Sequence, residues 1–381
     1  MIPPTTTQQY ALAYAPKPFA AMSFLSSCYM IYYLVFKEPE KLQRLYHRLV
    51  LAMNVALLPP SFAFFWGSWA MPRGTPHKIG AVGTVDTCTA QGFIATMFGM
   101  TVSIYYGSLV VQAFLGVKNN FKEEKYGFIE KWVHATAYIV PCAITAVFAV
   151  TENFNPNGSV CWAGKAPQGC ETDPYVDCQR GQDIGKLETI VGLFVISLYL
   201  FFPLSVVIAM CLWIKKSEKK ILRSNGLQAV RESARKEMMH SIAKQISMYL
   251  VSFWSTSLLV YVGTGYEFAT NKHLWNLTIL GNVVFSTQGL VLAVVYFILQ
   301  RIGRVKHIAI SPLSRNIDVT VEDIRANAER KASAPQSANV AGERRSVRFS
   351  IFDGIPDENS PWAKYLLDDL DEEVDGLEHQ G

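Results

Sequence analysis

The sequence predicts an all-α membrane protein: a seven-transmembrane helix bundle with its N-terminus outside, followed by a short amphipathic membrane-surface helix and a disordered cytoplasmic tail. Three observations lead there. Half of the 381 residues are apolar, and they gather in long runs instead of spreading at helical or strand period. Seven runs reach the roughly 20 residues that a helix needs to cross a hydrocarbon core about 30 Å thick, where unpaired backbone groups are costly. The Lys and Arg residues of the connecting segments divide seventeen to seven between the two sides, which orients the chain N-out and C-in.

The elements follow in order. Residues 1–17 form a short extracellular N-terminus without the basic and apolar regions of a cleavable signal, so the first span directs insertion. The helix domain covers 18–300, with spans near Pro18 to Phe36, Leu49 to Ala70, Cys88 to Leu115, Trp132 to Val150, Leu187 to Ile214, Gln245 to Tyr266 and Leu274 to Gln300. Pro59, Pro60, Pro141, Pro203, Gly263, Gly265, Gly281 and Gly289 interrupt them, and such breaks kink helices. The loop after the third span carries Lys122, Glu123, Glu124 and Lys125, read as a solvated face rather than a short helix.

Between spans five and six, Lys215 to Lys220 continues one helix, and Ser224, Asn225 and Gly226 supply a turn. The return arm is amphipathic, with Leu227, Val230, Ala234, Met238 and Ile242 at spacings of three and four. It faces a partner, or it is a cytoplasmic extension of the two spans packed on itself; the pattern allows both. Residues 301–312 alternate Arg301, Arg304 and Lys306 with Ile302, Val305 and Ile308, as a helix lying on an anionic leaflet would. The tail, 313–381, has low hydrophobicity and ends in an acidic run from Asp368 to Asp375.

Several functions are disfavoured. No span carries a Lys, Arg or Asp at its centre, as a proton or ion relay would. The last span has no lysine for a retinal Schiff base. Phosphate-binding glycine loops, metal-ligand clusters and nucleophile–base pairs are missing, so neither catalysis nor a cofactor nor a metal is expected, and nothing points to nucleic acid. Single polar residues remain within spans: Asn54, Gln91, Ser103, Asn282, Ser286 and Gln288. They suit interhelical hydrogen bonds, and some suit switch contacts.

Cys88, Cys161, Cys170 and Cys178 fall on the expected outer, oxidising side and allow three pairings. The eight-residue separation of Cys170 and Cys178 suits a local bridge. Cys88, Gln91, Gly92 and Phe93 at the head of the third span, Cys161-Trp162 in the second outer loop and Gln288-Gly289 in the seventh span carry a resemblance. It is to the cyclic-AMP-receptor-like and secretin-like G-protein-coupled receptors, and it extends from about Pro18 to Lys306. It implies a Cys88–Cys161 disulfide. The short N-terminus departs from the secretin-like pattern and favours the cyclic-AMP-receptor-like group. No Asp-Arg-Tyr-like triplet ends span three and no Asn-Pro pair lies in span seven, so rhodopsin-like receptors match poorly.

The resemblance implies a plasma-membrane receptor that passes the binding of an unknown extracellular ligand to a cytoplasmic heterotrimeric G protein by helix rearrangement. Membrane lipids are partners, and kinase and arrestin-like regulators are expected at the tail. Candidate pocket residues, from outer-half position, are Trp66, Gln91, Glu188, Tyr261, Trp275 and Asn276; interface anchoring or packing explains each equally well. Phosphate recognition would call for Arg or Lys near the pocket, and the outer halves of the spans offer almost none. Candidate G-protein contacts are Arg44, Lys215, Lys216, Lys219, Lys220 and Arg235. Asn157 heads a glycosylation sequon, and Ser333 and Ser346 follow basic residues as phosphorylation sites do. The alternative is a small-solute membrane transporter, against which no internal repeat is found.

Overall fold

The computed structural model describes residues 3–119, 122–167, 170, 176–181, 201–221, 227–270 and 274–301; side chains at 217–238, 240–241, 264 and 267–269 are outside the description. The described chain is mostly helical. In order it forms α1 (Thr6–Tyr14), α2 (Pro16–Tyr32), α3 (Leu45–Trp66), α4 (Val85–Lys118), α5 (Ile129–Val150), β1 (Phe154–Asn157), β2 (Val160–Ala163), α6 (Phe202–Ile221), α7 (Leu227–Thr270), α8 (Trp275–Ser286) and α9 (Gln288–Arg301).

Five helical stretches are long and apolar enough to cross a bilayer, and a sixth counts if α8 and α9, bent by 48°, form one broken span. These six coincide with six of the seven predicted runs. The N-terminal half of the run at Leu187 to Ile214 lies outside the described residues, and so do 302–381 with the expected surface helix and tail. Both arms expected around the 224–226 turn are helical, as the ends of α6 and α7.

The N-terminal segment is itself helical: Thr5 and Gln8 make a reciprocal capping box that starts α1, and helix runs with one interruption at Ala15 through to Lys37. One expectation needs correction. The 122–125 loop is not merely a solvated face. Glu123–Lys125 is a 3-10 turn whose Glu123 carboxylate accepts the backbone N–H of Leu45 at 3.1 Å, satisfying an otherwise orphan donor at the start of α3.

The described helices divide into two compact units. One comprises the described residues within 1–211 and 245–295, the other those within 212–244 and 296–301. In the first, α4 is the central element: it packs against α3, α5 and both strands, and α2 packs against α3 and α8. Within the second, the Gln300 amide donates to the Tyr296 hydroxyl at 2.8 Å one turn earlier in α9.

The break in the last span has a visible cause. A Cβ on Gly289 would sit 2.5 Å from Ser23 Oγ and 2.7 Å from Ser27 Oγ, so only glycine admits α2 this closely. The Gly289 N–H donates to Ser23 Oγ at 2.9 Å, and Ser23 shares a hydrogen bond with Ser61 of α3. Three helices thus meet at buried hydroxyls, which replace the backbone partner lost at the bend.

Candidate functional site

The site is built by the hairpin β1–β2. Its register pairs Asn157 with Val160, which leaves Gly158-Ser159 as a two-residue turn; Gly158 holds φ +61°, as the favoured hairpin turns require at that position. The four residues that head α4 all serve this hairpin. Cys88 is bonded to Cys161. Gln91, wholly buried, accepts the Cys161 N–H at 2.8 Å and donates to the carbonyls of Ala63 and Gly67 at 2.8 and 2.9 Å. Gly92 makes room for the Phe154 ring, which a Cβ would strike at 2.5 Å, and Phe93 packs beside Phe148 and Phe154. The second bridge joins Cys170 to Cys178.

So anchored, the hairpin tip enters the end of the helix bundle. Val160 packs with Ala20 of α2 and Phe64 of α3, with Phe285 of α8 against them. A Cβ on Gly158 would come 3.3 Å from the Asn282 amide and 3.8 Å from Thr278. The turn thus lies against residues of α2, α3 and α8.

Two lysines meet this tip. Lys17, 6% exposed, donates to the Trp66 carbonyl at 3.0 Å and lies 3.2 Å from the centre of the Trp69 ring. Gly67, at φ +56°, keeps the space beside it open: a Cβ there would meet Lys17 Nζ at 3.3 Å and the Ser159 carbonyl at 3.6 Å. Lys78 donates to the Gly158 carbonyl at 3.0 Å, and burial lowers its pKa to about 8. The sequence reading counted both as flanking charges and missed them here; only the aromatic pair Trp66 and Trp69 hinted at a buried cation.

The predicted pocket residues separate. Gln91 is a structural clamp with its amide fully engaged. Trp66 is half-buried, stacks on Phe62 and contributes its carbonyl to Lys17. Trp275 is buried at the start of α8 and Tyr261 is half-buried in α7. Asn276 is exposed and accepts from the Gln8 amide at 2.9 Å, tying α1 to α8. Glu188 lies outside the described residues. Asn157 is half-buried in the hairpin, and Ser159 of the same sequon is 3% exposed. A cleft of about 400 Å³ beside the first turns of α4, lined by Asp86, Thr89 and Phe93, includes none of these candidates.

At the opposite end, polar contacts cross-link the helices. Arg48 of α3 makes a two-toothed ion pair with Glu130 of α5, at 2.7 and 2.9 Å, and His134 joins Glu130 to the Tyr105 hydroxyl of α4. Tyr46 of α3 and Tyr249 of α7 share a 2.7 Å hydrogen bond. Tyr106 of α4 stacks on Phe253 of α7 with ring centres 4.2 Å apart. In the loop between α4 and α5, burial lifts the Tyr126 pKa to about 12. Of the expected partner contacts, Arg44 is half-buried here, whereas Lys215 and Lys216 on α6 are exposed. Lys219, Lys220 and Arg235 belong to helices whose side chains there are outside the description, and Ser333 and Ser346 are outside it altogether. No protein-family model matches the sequence, and no curated protein matches it either.

Proposed function

We propose that the chain is a seven-helix plasma-membrane receptor, oriented with the disulfide end outside, that passes ligand binding at the hairpin to a heterotrimeric G protein. The observation that carries this reading is the linkage through α4. At one end α4 is bonded to the hairpin through Cys88–Cys161, and further along it stacks on Phe253 of α7. The same α7 is held to α3 at the far end by the Tyr46–Tyr249 hydrogen bond. A ligand that displaces the hairpin tip would therefore act on a helix in contact with α7, the helix whose movement would open the inner face.

The disulfides favour the oxidising side for the hairpin. The charge distribution of the sequence counts Lys215 and Lys216, both exposed, with the cytoplasmic charges, where they would suit an acidic face of a G protein. Kinase and arrestin-like regulators would act on the tail.

The bent α8–α9 span favours a second reading, a small-solute transporter, because broken helices often line transport sites. One assay separates the two. With the purified chain in nanodiscs, nucleotide exchange on a G protein is expected, and charge reversal at Lys215, Lys216, Lys219 and Lys220 should abolish it at equal folded yield. Absence of exchange with any G protein of the source cell, together with solute flux in proteoliposomes, would replace the receptor by the transporter.

A further inference from the structure

We infer that the donors around the hairpin tip form an oxyanion site, and that the ligand presents a compact carboxylate or phosphate-type group to it. The inference deepens the receptor reading, since it names the chemistry that would displace the tip. Four side-chain donors lie along two short stretches, Gly67-Ser68 and the turn Gly158-Ser159. Lys17 lies against Gly67, with the Ser159 carbonyl on the same face of that glycine. Lys78 is bonded to the Gly158 carbonyl. Ser159 Oγ is buried without a hydrogen-bond partner, and so is Ser68 Oγ, which lies 3.2 Å from where a Cβ on Gly80 would stand.

Among the described residues no carboxylate is within ion-pair reach of either lysine. An ammonium taken from water without an opposite charge is expensive, and carbonyls and an indole face offset that only in part. Two cations and two unpartnered hydroxyls, with no acid paired to them among the described residues, have the donor set of an anion site. Binding has a built-in consequence. An oxyanion at the ammoniums would replace the carbonyls of Trp66 and Gly158 as their partners and so free the Gly158 carbonyl of the tip from Lys78. The alternative role for Lys17 is to cap the last turn of α3 through the Trp66 carbonyl, with no ligand involved.

The test uses the full chain in zwitterionic nanodiscs, titrated with inorganic phosphate and with butyrate against chloride at constant ionic strength. Thermal midpoint and tryptophan emission are read, each variant against its own anion-free state. A saturable response is expected in the native chain. Its midpoint concentration should rise about tenfold or more in Lys17→Met and in Lys78→Met, as loss of a charge-assisted hydrogen bond implies, and survive in Lys17→Arg and in the exposed-charge control Arg73→Gln. Response to phosphatidylglycerol in the disc, with none to the free anions, would keep the site and assign it to a lipid headgroup. No response to any of the three would overturn the site. A response unchanged in both methionine variants, or lost equally in Arg73→Gln, would do the same and leave Lys17 a helix cap. Anion binding without nucleotide exchange would retain the site and remove the receptor reading, so the two fail separately.

Discussion

At the scale of single residues, Gln91 shows how one side chain can hold a loop to a bundle. Its carboxamide donates to Ala63 of α3 and to Gly67, which caps that helix, and accepts from Cys161, all buried. Replacement by Leu keeps the volume but leaves an N–H and two carbonyls short of a partner. Gln91→Leu should therefore lose about 2 kcal/mol or more of stability, whereas an exposed glutamine would lose almost nothing. Denaturation of the two variants in detergent, with the disulfides intact, checks the difference. The role of Gln91 was only half legible in the sequence: a polar residue three positions after a cysteine at the head of a span marks a contact, but a pocket and a clamp ask for the same side chain. Lys17 was illegible. A lysine at the edge of an apolar run is usually a topological charge, and only the placement of α1 ahead of it and of Trp69 above it makes it a buried group.

Among the elements, helices were read well because long apolar runs have one solution in lipid. The hairpin was not read at all, since four-residue strands carry no periodicity strong enough to register against their surroundings. What could be read was its docking face, Cys88, Gln91, Gly92 and Phe93, whose close spacing turns out to mean that one helix end meets one turn. The broken last span was legible only as Gln288-Gly289. Its geometry supplies a test with an unusual sign. In most helices Gly→Ala gains roughly 0.5–1 kcal/mol. At Gly289 the added methyl would collide with Ser23 and Ser27, so Gly289→Ala should instead cost about 1–3 kcal/mol, read as a lower thermal midpoint. Equal stability of the two chains would show that α2 and α9 separate easily.

For the whole molecule, the hydrogen bond between Tyr46 and Tyr249 is a contact between α3 and α7 that a single substitution can weaken, at a cost of about 1 kcal/mol. If α7 swings outward during signalling, Tyr249→Phe should raise ligand-independent nucleotide exchange about fivefold and leave surface expression unchanged. Unchanged basal exchange would mean that the aromatic stack of Tyr106 on Phe253 sets the barrier instead.

The 44 residues of α7 add a further property to this picture. At 1.5 Å per residue the helix is about 66 Å long, roughly twice the hydrocarbon thickness it has to cross. Its apolar stretch, Ile242–Gly263, stops seven residues short of the C-terminal end, and fifteen residues from Leu227 to Ser241 precede it. Because the helix is unbroken across the edge of its apolar stretch, the backbone amides on either side of Ile242 stay paired in one ladder, and no loop has to be solvated at the boundary between hydrocarbon and water.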